Sequence, residues 1–156
     1  MKSYSKKILN SLNLDIFKII SDASDDLKID TYVVGGFVRD LIINKSVKKD
    51  IDIMCVGSGI DLAKAVQEKI NPKAKVSIFK RYGTAMVTFN DYQVEFVGSR
   101  KESYSNDSRN PSVEAGNFMD DMLRRDFTIN TLAIRLNKNK FGELVDTFGG
   151  LQDLEK

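Results

Sequence analysis

The stretch from Tyr32 to Val56, YVVGGFVRDLIINKSVKKDIDIMCV, constrains this chain more than any other segment. Val33 and Val34 are β-branched and run straight into Gly35-Gly36, which predicts a buried strand whose backbone turns where no Cβ is tolerated. Phe37, Val38, Leu41 and Ile42 then recur at helical spacing, and that helix is expected to end near Asn44 and Lys45. From Asp50 the period becomes two, putting Asp50, Asp52 and Met54 on one strand face and Ile51, Ile53 and Cys55 on the other.

That alternation carries a chemical consequence. Residues two apart on a strand lie roughly 6 to 7 Å apart and point the same way, so two carboxylates can reach one cation. Hard oxygen ligands on a rigid strand suit Mg²⁺, which commonly takes one or two carboxylates together with substrate phosphates. An isolated D-x-D is also the pattern of a solvated strand edge. Its neighbours here favour chemistry: a Gly-Gly corner at the start of a helix presents backbone N–H groups to an anion, and Arg39 lies one turn further on.

Composition narrows the chemistry further. The 156 residues are one domain's worth, and 42% hydrophobic with 29% charged is ordinary for a globular protein. No histidine occurs, which excludes Ser-His and Cys-His catalysis, histidine-bound zinc and an imidazole base within this chain. Cys55 is the one cysteine, so no intrachain disulfide can form, and its place on an apolar strand face predicts a small buried side chain. No apolar run approaches membrane-spanning length and MKSYSKKILN lacks a signal-peptide core, so a cytoplasmic protein without a membrane partner is expected. The net charge of +2 locates no nucleic-acid groove. Lys48 and Lys49 fit a solvated turn better than a phosphate site.

Residues 1–30 predict one or two helices, with Ile16, Phe17, Ile20, Ala23 and Leu27 as an apolar stripe packed on a sheet. Leu62, Ala63, Val66 and Ile70 mark another helix, with Ser58 as N-cap and Pro72 as its stop. Lys75–Phe79, Thr84–Phe89 and Tyr92–Val97 predict strands, the last two joined by an Asn90-Asp91 hairpin turn. Between Arg100 and Asn117 the apolar pattern disappears, the composition of a long mobile loop. A helix is expected from Asp120 into Arg124, Arg125 and Asp126. The segment from Leu132 to Asp146 reads as a strand or short helix, a turn at Asn137–Lys140 and another strand. Together these elements predict an α/β domain: a mixed, largely antiparallel sheet with packed helices and the acids at one open edge.

Three blocks in order carry a resemblance. GGFVRD with KKDIDI resembles the first signature of the class II tRNA nucleotidyltransferases (CCA-adding enzymes) and bacterial poly(A) polymerases, members of the polymerase-β-like nucleotidyltransferase superfamily. LRRDFTINTLAI (Leu123–Ile134) resembles that family's next signature, and LVDTFGGLQDL (Leu144–Leu154) resembles the segment closing its catalytic head domain. The resemblance implies a head domain over 31–156 with residues 1–30 as a helical segment packed on it, and neck, body and tail domains outside this chain. It implies Glu95 as a third active-site carboxylate and metal ligand beside Asp50 and Asp52. It also implies nucleotide binding by Gly35, Gly36, Arg39, Arg124, Arg125, Asp126 and Asn130, with Arg100 and Arg109 as RNA or phosphate contacts. The implied activity is transfer of a nucleotide from CTP or ATP to an RNA 3′-hydroxyl, foremost the tRNA 3′ end in CCA addition, with two Mg²⁺ ions. Poly(A) addition and a non-catalytic nucleotide-binding module are the alternatives, and oligomeric state is left open.

Overall fold

The computed structural model describes residues 2–43, 49–70, 75–98, 100–104, 111–115 and 132–146. Two N-terminal helices, α1 (Lys2–Ser11) and α2 (Asp15–Leu27), precede β1 (Thr31–Val34), which the Gly-Gly corner joins to α3 (Gly36–Ile42). Then come β2 (Asp50–Cys55), α4 (Gly59–Ile70), β3 (Val76–Phe79), β4 (Thr84–Phe89) and β5 (Tyr92–Gly98). A two-stranded pair, β6 (Arg100–Tyr104) with β7 (Pro111–Ala115), is followed by β8 (Ala133–Arg135) and β9 (Leu144–Val145). The large sheet runs β3-β4-β5-β2-β1-β8-β9, antiparallel throughout except where β5 lies parallel to β2. A parallel neighbour requires a crossover, and α4 with the β3-β4 hairpin supplies it.

One face of this sheet is closed by helices. Ile51, Ile53 and Cys55 of β2, Val33 of β1 and Phe96 of β5 are buried with Ile16, Phe17 and Ile20 of α2, Phe37 and Leu41 of α3, and Leu62 and Val66 of α4. The rings of Phe17 and Phe37 lie 5.4 Å apart at 59°, a tilted aromatic pair that locks α2 onto the start of α3. Burial pushes the Cys55 thiol up to about 12, so this cysteine is an inert part of the core. Side-chain bonding from Asn137 fixes the far end of β1. Its Oδ1 accepts from the Thr31 N–H at 2.8 Å, while its Nδ2 donates to the Ile29 carbonyl at 2.8 Å and to Asp25 Oδ1 at 3.0 Å. Among the described residues no helix is long and apolar enough to cross a membrane.

Most predicted elements appear where periodicity places them. Ser58 caps α4, its Oγ accepting from the Asp61 N–H at 3.1 Å, and Asn90 turns the β4-β5 hairpin at φ +51°. Four expectations need correction. The helix after Gly36 ends at Ile42, with Ile43 as its cap, earlier than Asn44. Leu27 is exposed although it lies on the same side of α2 as the buried Ile20, because it is the last residue of the helix. Part of the segment read as a loop pairs as β6 and β7: a two-stranded ladder is held by backbone hydrogen bonds and needs no apolar alternation. The acids sit on central strands, since β2 is paired on both sides, and not at a sheet edge. Pro72 and the expected helix from Asp120 to Asp126 lie outside the described residues.

The parallel pairing of β5 with β2 depends on a close crossing of glycines. A Cβ on Gly98 would run into the Gly57 carbonyl oxygen, and one on Gly59 would stand 2.9 Å from both the Gly98 N and the Phe96 O. Gly98→Ala is therefore expected to lower stability by about 2 kcal/mol or more in urea unfolding. Gly83→Ala is the control: Gly83 turns at φ +67° with nothing within 4 Å of the added carbon, so its cost is confined to backbone strain of about 1 kcal/mol.

Candidate active site

The face of the sheet opposite the helices carries the acids. Val34 of β1 and Glu95 of β5 are both register partners of Asp52, and Met86 of β4 partners Glu95 in turn. Register partners share a face, so Asp52 and Glu95 stand side by side on neighbouring strands, with backbones roughly 4.8 Å apart. Asp50 lies one pleat away, opposite Gln93. Both aspartates are exposed and Glu95 is half-buried. Further along, the same face turns apolar: Met54 is buried with Tyr32, Val34 and Ala133 in a small second cluster. Arg135 closes that end, its guanidinium 5.1 Å above the Tyr32 ring and its Nη1 donating to the Tyr32 hydroxyl at 2.9 Å. Glu143 Oε1 is 3.3 Å from Arg135 Nε, an ion pair by distance that lacks hydrogen-bond alignment. Burial is the main cause holding the Tyr32 phenol above its usual range, against the opposing pull of Arg135.

The glycine corner lies directly against Asp52. Gly35 has φ +77° and ψ −148°, a conformation open to glycine, and serves as N-cap of α3 without a side-chain cap. A Cβ built on it would be 3.0 Å from Asp52 Oδ2, so the corner and the carboxylate touch with no core between them. The first helical bond of α3 is Arg39 N–H to the Gly35 carbonyl, which leaves the N–H groups of Gly36, Phe37 and Val38 ahead of the ladder at that same end. Arg39 folds back over the corner, its Nη2 3.5 Å from a Cβ placed on Gly36. Asp40 holds it there, accepting from Arg39 Nε at 3.2 Å. The Asp40 side chain is 5% exposed and that of Arg39 36%, so a buried acid tethers a half-exposed cation.

The site therefore unites Gly35, Gly36, Arg39, Asp50, Asp52 and Glu95. Sequence reasoning missed Asp40, although it stands inside GGFVRD; a charged residue next to Leu41 and Ile42 on an apolar helix was the signal. Lys49 pairs with exposed Asp91 at 3.1 Å, the solvated role expected of it. Arg100 opens β6. Arg109, Arg124, Arg125, Asp126 and Asn130 lie outside the described residues.

Among the described residues no group of three or more His, Cys, Asp or Glu side chains is close enough to hold a metal ion by itself. The donor set still fits Mg²⁺ in its usual manner. Two exposed carboxylates on one strand face, beside a corner with no Cβ, leave room for phosphate oxygens and water to complete the shell.

Residues 31–156 match the family model described as Poly A polymerase head domain. The chain is 38% identical over 138 residues to an A-adding tRNA nucleotidyltransferase of Geobacter sulfurreducens, covering 88% of this chain and 15% of that protein. Among solved structures, a CCA-adding enzyme in an apo form superposes with a TM-score of 0.83 at 31% identity, covering 97% of this chain and 36% of that one. A tRNA nucleotidyltransferase complexed with a primer tRNA and an incoming ATP analog gives 0.75 at 34% identity, covering 87% and 36%. The chain thus spans about a seventh of the Geobacter relative and about a third of either solved structure.

Contact between Gly35 and Asp52 yields a stability test. Gly35→Ala is expected to cost about 1 to 3 kcal/mol in urea unfolding, from backbone strain and the pressed carboxylate. Gly36→Ala, whose new carbon meets one guanidinium nitrogen at ordinary contact distance, is expected to cost less than about 1 kcal/mol.

Proposed function

Because the chain belongs to the poly A polymerase head domain family, we propose that it carries the catalytic centre of a cytoplasmic, metal-dependent nucleotidyltransferase that extends an RNA 3′-hydroxyl. The acceptor in this reading is the tRNA 3′ end and the donors are CTP and ATP. Residues 31–156 form the catalytic head and residues 1–30 its helical support, with Ile8 of α1, Leu12 of the turn after it, and Ile16 and Phe17 of α2 contributing to the common core. The observation that carries the proposal is the contact of Gly35 with the Asp52 carboxylate, on the rung that also holds Glu95.

The reaction joins the RNA 3′ oxygen to the α-phosphorus, breaks the bond to the β-phosphate bridge, releases pyrophosphate and frees the hydroxyl proton. Asp50 and Asp52 would hold Mg²⁺ together with phosphate oxygens, and Glu95 extends the carboxylate row. Bound there, the metal supplies Lewis acidity that lowers a hydroxyl pKa and offsets phosphate charge. The chain's own groups do the positioning. Gly35 and Gly36 let a triphosphate approach the backbone, and Arg39, braced by Asp40, presents a planar donor to it. Arg124, Arg125, Asp126 and Asn130 complete the nucleotide pocket in this proposal, and Arg100 and Arg109 contact RNA or phosphate.

Whether all of CCA or the terminal A alone is added is read from a nucleotide panel, since an A-adding relative and a CCA-adding structure resemble the chain at similar identity. In the complete protein, Asp52→Asn is expected to lower incorporation of labelled CMP and AMP into tRNA at least about a hundredfold, with tRNA affinity and the urea midpoint nearly unchanged. Near-normal turnover would defeat the assignment. Metal-dependent binding of CTP or ATP with no transfer by the unmutated protein would identify a non-catalytic nucleotide-binding module instead.

A further inference from the structure

We propose that the edge of the sheet at β3 is a binding surface for the single-stranded 3′ end of the RNA, with Phe79 as its stacking platform and Lys80 as a phosphate contact. The inference rests on the RNA-directed reading above. Phe79 ends the edge strand and is 46% exposed, outside both apolar clusters of the described residues. Register fixes its face: Phe79 partners Thr84, Thr84 partners Val97, and Val97 partners Met54. Met54 is two residues from Asp52, so Phe79 stands on the acid face, three strands and roughly 14 Å across the sheet from Met54 and about 16 Å from Asp52.

Charge singles out the occupant. Between Asn71 and Asn90 the chain carries Lys73, Lys75, Lys80 and Arg81 and no acidic residue, although acids and bases nearly balance over the whole sequence. Lys75, Lys80 and Arg81 are exposed at the two ends of β3. An exposed ring flanked by cations is poorly suited to an apolar protein partner. It matches a strand of nucleotides, whose bases stack on aromatic rings of any sequence context while phosphates follow the basic groups. Edge strands are commonly blunted by charge, which accounts for the lysines; it does not account for a phenylalanine left open on the acid face.

The test uses the complete protein, EDTA in place of metal, and a fluorescein-labelled tRNA transcript lacking its terminal nucleotides. Phe79→Ala is expected to raise the Kd about tenfold, the order of one base stacked on one ring, while Phe79→Trp keeps wild-type affinity. Lys80→Gln is expected to reduce the slope of log affinity against log salt by about 0.7. CTP and ATP affinities, measured separately with Mg²⁺ present, stay unchanged in all three variants. A Kd for Phe79→Ala within twofold of wild type, with an unaltered Lys80→Gln salt slope, overturns the proposal. Unchanged RNA affinity with altered sedimentation assigns the ring to protein docking and overturns it equally. RNA binding that depends on Phe79 in a protein with no transfer activity would remove the enzymatic reading and leave this surface standing.

Discussion

Asp50 and Asp52 are fixed at the spacing of one strand pleat by ladders on both sides of β2, and the rest of the structure follows from that constraint. Two like charges on a flexible loop would turn apart, whereas here β1 and β5 hold the backbone on either side. Such a pair favours a positive charge between its members. The cost of the arrangement is met by the opposite face, where Ile51, Ile53 and Cys55 anchor the same strand in the core.

Every element around β2 can be understood as holding that face in register. The glycine crossing of Gly57, Gly59 and Gly98 brings β5 close enough to pair in parallel and so puts Glu95 beside Asp52. Asn137 ties the entrance of β1 to α2, and the positive φ of Gly35 turns its exit over the Asp52 carboxylate. The buried Asp40 keeps Arg39 folded toward the same corner. Ion pairs elsewhere are peripheral. Lys69 with Asp26 at 2.7 Å and Lys138 with Asp22 at 2.7 Å pin exposed helix surfaces in solvent, where such pairs contribute little.

Much of this was legible in the sequence because half-buried strands and amphipathic helices imprint their periods on it. The D-I-D-I alternation of β2, the Ser58 cap and the β4-β5 turn are local features, and local patterns reported them correctly. Long-range pairing leaves no such imprint. Nothing in the period of Tyr92–Gly98 says that it lies parallel to β2, so the acids were expected at an edge and stand in the middle. β6 and β7 were hidden because their ladder needs no apolar alternation. Met54 shares the acids' face yet is buried, because the second apolar cluster covers that end of the strand. Asp40 was overlooked since its role depends on the adjacent Arg39 bending back, which helical spacing alone does not predict.

The most direct test of the central claim is an anomalous difference map from crystals soaked with Mn²⁺ and a non-hydrolysable CTP or ATP analogue. The account predicts metal density against the carboxylates of Asp50 and Asp52, with the triphosphate along Gly35 and Gly36. Metal or nucleotide bound elsewhere, with both aspartates facing solvent and unliganded, would contradict it.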